Sequence, residues 1–121
     1  ASATATTTVQ SDVGTTTAAV ADTLMAGMTI TPGAGTYLVI FSGDVWHNTN
    51  AAGIYTNIYA AGALQPGSER HYARPSQLTE SSFCCTCKVT VIAGQAIEGR
   101  WRTTAATANN NHRMLVVMRV Q

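Results

Sequence analysis

Residues 36–42, Thr-Tyr-Leu-Val-Ile-Phe-Ser, constrain the fold more than any other stretch. In a strand, alternate side chains point to opposite faces, so Tyr37, Val39 and Phe41 share one face while Leu38, Ile40 and Ser42 share the other. Both faces are apolar for most of that length, and a strand of this kind needs cover on two sides. Residues 83–92 repeat the alternation, with Cys85, Cys87, Val89 and Val91 opposed to Cys84, Thr86, Thr90 and Ile92. Residues 112–120 form a third such run.

Gly, Pro, Asn and Ser punctuate these runs at intervals typical of an all-β domain. Pro32-Gly33-Ala34-Gly35 closes a short strand at 28–31, and Ala60-Ala61-Gly62 ends a strand in which Ile54, Thr56 and Ile58 oppose Tyr55, Asn57 and Tyr59. Residues 69–73 read as an exposed polar strand, residues 96–103 as a further strand, and Asn109-Asn110-Asn111 as the turn before the last one. The Ala-rich segment 17–28 has no convincing cap and contains Gly27, so it is read as an extended segment or a short turn leading into a strand. About eight strands without a βαβ rhythm predict an antiparallel two-sheet sandwich of Greek-key type.

A chain of 121 residues fits one domain. Residues 1–14 alternate small and β-branched side chains with too little bulk for a core, and are expected to be either disordered or an extended arm that docks on something else, with the domain proper at 15–121. Seven basic and six acidic residues leave a net charge of +1, which offers no electrostatic footing for nucleic acid or an anionic membrane. No apolar run approaches the roughly 20 residues of a membrane span, and no secretion signal is evident, so a soluble protein is expected.

Candidate chemistry is sparse. Cys84, Cys85 and Cys87 are odd in number and lack the paired spacing of zinc modules. They read as buried reduced thiols, with a metal site shared among chains as the alternative. Asp44-x-x-His47 imitates part of a dyad, but neither it nor His71 or His112 is accompanied by a nucleophile motif, so no catalytic residue, metal or cofactor is expected and the chain is read as a non-enzyme. In Arg100-Trp101-Arg102, alternation sets Trp101 opposite both arginines, either as plain core beneath solvated charges or as part of an interface.

Gly35-x-Tyr37-x-Val39-x-Phe41, Ile58-Tyr59-Ala60-Ala61-Gly62, Ala93-Gly94-Gln95-x-Ile97-Glu98-x-Arg100-Trp101 and the closing Arg113 to Val120 run together resemble the tumour-necrosis-factor-like and complement-globular-head superfamily. The resemblance implies a jelly-roll protomer closing into a homotrimer. The surplus apolar faces agree with it, since a partner subunit is their simplest cover. The interface is expected at Tyr37, Val39, Phe41, Arg113, Leu115, Val117 and Arg119, with Arg113 and Arg119 as ion-pair partners of Glu98 or Glu80 across subunits or as strand-end charges. A stalkless trimeric head with a Thr/Ala-rich arm is similar to the decoration, or cement, proteins of tailed-phage heads. That likeness implies a structural virion protein on the capsid surface, assembled in the host cytoplasm. Its partners would be itself and the major capsid protein, the latter met through Thr4, Thr6, Thr8 and Val9. The rival reading is a TNF-like trimer that binds a glycan or protein through loops such as 48–53 or 104–111.

Overall fold

The computed structural model describes residues 5–49, 52–72 and 80–121. The strands are β1 (Thr6–Ser11), β2 (Thr15–Thr17), β3 (Thr23–Ile30), β4 (Gly35–His47), β5 (Ile54–Ala60), β6 (Ala63–Leu64), β7 (Arg70–Tyr72), β8 (Ser81–Val91), β9 (Ile97–Thr103), β10 (Ala108–Asn110) and β11 (Arg113–Arg119). All pairings are antiparallel. One sheet runs β1-β11-β4-β8, with β10 replacing β11 beside the far end of β4 and carrying β2. The other runs β3-β9-β5, with β6 and β7 both on the outer side of β5. Facing sheets of order β1-β11-β4-β8 and β3-β9-β5-β7 are a jelly roll made of two interlocked Greek keys.

The alternation in the sequence decides which side chains fill the sandwich. Tyr37, Val39, Phe41 and Val45 of β4, Phe83, Cys85, Val89 and Val91 of β8, and Leu115 and Val117 of β11 meet Met25, Met28, Ile54, Ile58, Ile97 and Trp101 from the opposite sheet. Phe41 and Phe83 pack edge to face with ring centroids 4.9 Å apart. The long strands match the expected ones to within two residues at most ends.

Three short elements, β1, β2 and β10, depart from the expected plan. β1 lies within the segment read as a separate arm, yet it pairs residue by residue with β11 from Thr6 against Met118 to Ser11 against Arg113. It is the first strand of the jelly roll, so the division at residue 14 does not mark where the domain begins. Thr4 lies outside the described residues. Residues 108–110, within and beside the expected asparagine turn, are a buried strand that joins β2 to β4.

Candidate interaction surfaces

Cross-strand register builds the outward face of the β1-β11-β4-β8 sheet row by row, because directly opposed residues share a face. Thr6, Met118, Leu38 and Lys88 form one row, Thr8, Val116, Ile40 and Thr86 the next, and Gln10, Met114, Ser42 and Cys84 the third. The two central strands therefore carry a strip of Leu38, Ile40, Met114, Val116 and Met118, flanked by threonines on both outer strands. Lys88 is the one charge in these rows. Leu38 keeps 37% of its surface exposed, which is unusual for leucine at the centre of a sheet.

That outward face corrects the interface expected from sequence. Tyr37, Val39, Phe41, Leu115 and Val117 are at most 3% exposed and fill the core of their own chain. Arg113 is also taken up internally. Its guanidinium donates to the Ala26 and Val13 carbonyls and to Asn110 Oδ1, and burial lowers its pKa. Glu98 pairs with Arg100 of its own strand. The inward and outward sets were both legible by alternation, but alternation alone does not say which one the second sheet covers.

The outward face of β5 and β9 is chemically different. Asp22 accepts from Arg102, Asn57 and the Tyr59 hydroxyl, the last at 2.6 Å, and Glu69 accepts from Arg102 and Asn57. Burial pushes the Asp22 carboxyl up, but Tyr59, Arg102 and Asn57 outweigh it and hold it below the usual carboxylate range. Arg102 lies 3.9 Å from the centre of the Tyr55 ring and Arg100 4.2 Å from that of Tyr59. His71 stacks on Tyr55 with centroids 4.0 Å apart. Trp101 is core beneath these arginines, 1% exposed. The cluster is a lattice of charges and rings that largely partner one another, with the buried Oδ1 of Asn57 left without a hydrogen bond.

The expected Asp44-x-x-His47 pairing does not form. His47 is buried, its Nδ1 accepting from the Thr49 amide and its Nε2 donating toward Thr103 Oγ1 and the Ala105 carbonyl, so both nitrogens are used in fixing loops. Asp44 instead meets His112 at 2.6 Å and accepts the amides of Asn111 and His112 through its other oxygen. Burial raises the Asp44 pKa, but these donors outweigh it and lower it overall, while Asp44 raises that of His112. Glu80 stands close enough that it, Asp44 and His112 place donor atoms within 4.8 Å of one another. The hydrogen bonds of Asp44 make it a clamp between β4 and the turn into β11.

The cysteines divide by alternation. Cys85 is fully buried and hydrogen-bonded to Thr56, Cys87 is half-buried, and Cys84 is exposed on the outward face. Burial pushes both inner thiols up to about 11, so neither supplies a thiolate near neutrality. Beside them, at the open margin between the sheets, a cleft of about 240 Å³ is lined by Thr56, Arg70, His71, Tyr72, Ser82 and Cys84 among others.

No family model and no curated protein matches the sequence. Solved structures do. The T13 viral particle of IBDV matches with a TM-score of 0.64 at 10% identity, over 96% of this chain and 31% of that one. The VP2 subviral particle of infectious bursal disease virus matches with a TM-score of 0.59 at 11% identity, over 95% and 32%. The CBM36-1 domain of a multidomain xylanase from the hindgut metagenome of Trinervitermes trinervoides matches with a TM-score of 0.50 at 12% identity, over 93% and 96%. The chain thus spans about a third of the viral chains and nearly all of the xylanase domain. At these identities the likeness is one of fold, a jelly-roll β-sandwich common to capsid proteins and carbohydrate-binding modules.

Proposed function

We propose that this protein is a structural component of a virion, a homotrimer that decorates the outside of a phage head and binds its major capsid protein. It is a non-enzymatic part, assembled in the host cytoplasm and resident on the capsid surface. The observation that carries this reading is the outward face of the β1-β11-β4-β8 sheet, an apolar strip with a threonine margin and a single charge. Four strands at about 4.8 Å spacing and some seven residues of about 3.3 Å give it a footprint near 450 Å². A pairwise contact through it falls short of the roughly 800 Å² per partner of stable complexes. In a closed threefold ring each copy would meet one neighbour through this face and the other through a second surface, which raises the area buried per copy toward that range, as in the TNF-like arrangement that the sequence resembles.

Of the residues proposed to meet the capsid, Thr4, Thr6, Thr8 and Val9, the first lies outside the described residues. Val9 packs against the core, whereas Thr6 and Thr8 are exposed on the β1 margin of the apolar face. Thr7 and Gln10 of β1 are exposed as well, and a shell contact at Thr6 and Thr8 requires that the trimer contact leave this margin open. The test is to add purified protein to undecorated particles and image them. Regular trimeric density on the shell supports the proposal, and particles that stay bare at saturating protein would sink it.

A glycan-binding role is the second reading, favoured by the rings and charges of Tyr55, Tyr59, His71, Arg100 and Arg102 on the other sheet. Aromatic rings beside planar polar groups are the chemistry of sugar recognition. Here, however, guanidinium groups already lie over both tyrosine rings. Oligosaccharide titration of wild type against Tyr55→Ala separates the readings, since only a glycan site predicts saturable binding lost in the variant.

A further inference from the structure

Among the described residues, the edge of β8 turned away from β4 is unpaired and has the geometry to add a strand. Thr36 exchanges backbone hydrogen bonds with Val120 and Gln121, and the Asp44 amide donates to the His112 carbonyl, so even-numbered residues of β4 direct their backbone groups toward β11. Odd-numbered residues of β4 therefore face β8, and their opposites there are Phe83, Cys85, Cys87, Val89 and Val91. It follows that Ser82, Cys84, Thr86, Lys88 and Thr90 point their amides and carbonyls away from the sheet. Among the described residues, no strand pairs with that side of β8.

Natural edges are ordinarily protected by bulges, prolines, short length, charged side chains or a covering loop. Among the described residues β8 carries one such device, the outward-facing Lys88. The strand is 11 residues long, contains neither Pro nor Gly, and keeps register with β4 at every position from Val91 to Ser81. Its cysteines, threonines and valines favour extended backbone, and its one lysine is at neither end.

We infer that this edge pairs with β8 of a second copy, antiparallel about a two-fold axis through Thr86, joining two six-stranded sheets into one. The side chains are self-complementary in that register. Ser82 falls opposite Thr90 of the second copy, Cys84 opposite Lys88, and Thr86 opposite itself on the outward face, while Phe83 meets Val89 and Cys85 meets Cys87 on the inner one. Hydroxyl and β-branched cross-strand pairs of this kind are favourable. The two lysines are offset by four residues, about 13 Å along the strands. That exceeds the Debye length of roughly 8 Å at physiological salt, so they do not oppose the pairing. This contact uses the backbone of the β8 edge, whereas the proposed trimer contact uses the side chains of the sheet face; Cys84, Thr86 and Lys88 border both, and the edge contact links trimers edge to edge.

Light scattering across concentration, on wild type, Thr86→Val and Thr86→Pro, tests it. Proline at residue 86 removes an outward amide and breaks no bond to β4, a placement that sheet edges tolerate. Wild type and Thr86→Val should grow beyond the basic oligomer as concentration rises, and Thr86→Pro should remain at it. If the face does not form trimers, the same result appears as dimer against monomer, so the two proposals fail separately. Hydrogen exchange on the unmodified protein gives a second readout should the proline variant not fold. The amides of residues 82, 84, 86, 88 and 90 should exchange about tenfold more slowly in concentrated than in dilute protein. Equal growth of folded Thr86→Pro, absence of growth in wild type, or concentration-independent exchange at those amides overturns the inference.

Discussion

Gly99 lies directly over the ring of Phe41: a β-carbon placed on it would stand 2.6 Å from the ring edge. The two residues come from opposite sheets, and Phe41 is fully buried against Phe83, so the ring has nowhere to retreat. This contact sets how closely β9 approaches β4 at the centre of the sandwich. Gly99→Ala should therefore destabilise the fold by about 1–3 kcal/mol through overpacking. Urea denaturation checks it, and a stability equal to wild type would show that the sheets are free to part there.

The clamp between Asp44 and His112 makes stability depend on pH from both directions. The Asp44 pKa is lowered on folding, so its contribution is present above the unfolded value near 3.8 and is lost as pH falls through the folded one. The His112 pKa is raised, so its contribution is complete below the unfolded value near 6.5 and is lost as pH rises through the folded one. The pair acts most strongly between those limits. Asp44→Asn should remove the lower dependence, weaken the upper one, to which Asp12 and Glu80 also contribute, and cost about 1–3 kcal/mol because the amides of Asn111 and His112 lose a charged acceptor. Thermal melting from about pH 3 to 8 is the measurement. His112→Ala should abolish the upper limb and weaken the lower one, since His112 also helps to lower the Asp44 pKa, and an unchanged upper limb in that variant would contradict the assignment.

Thiol reactivity should follow strand alternation. In native protein diluted below self-association, alkylating reagent should modify Cys84 and leave Cys85 and Cys87 unmodified, with all three reacting after denaturation. Mass spectrometry of peptides reads this directly. Rapid native labelling of Cys85 would mean that the sandwich opens at β8.

The strongly patterned strands were legible in the sequence because each residue type reports its own face: the spacing of Tyr37, Val39 and Phe41 is enough to mark a core strand. What was missed has particular causes. Thr6–Ser11 offers the core only Val9, so composition gave no reason to attach it to the sheet. In Thr23–Ile30 a register shift around Gly27, whose φ is +79°, places the buried Met25 and Met28 three residues apart, which mimics a helical spacing. Ala108–Asn110 is a strand although its sequence suggests a turn, because Asn110 satisfies the Asp44 and His112 carbonyls and receives Arg113. The clamp joins residues 68 positions apart, and no local motif marks it.

The choice of outward face was the most consequential ambiguity. In β4 and β11 both alternating sets are apolar, and only the position of the second sheet separates Leu115 and Val117, which are core, from Met114, Val116 and Met118, which are not.

The central claim is self-assembly through that outward face, and the most direct measurement is the mass of Thr86→Pro protein by light scattering with and without Val116→Lys. Val116 is in the middle row, opposite Ile40 and Thr8, and a lysine there would be an unpaired charge inside the contact. Assembly through the face predicts about three times the 12.7 kDa chain mass for Thr86→Pro alone and the single-chain mass for the double variant, both folded. A single-chain mass for Thr86→Pro alone, or a trimer that survives Val116→Lys, would contradict it.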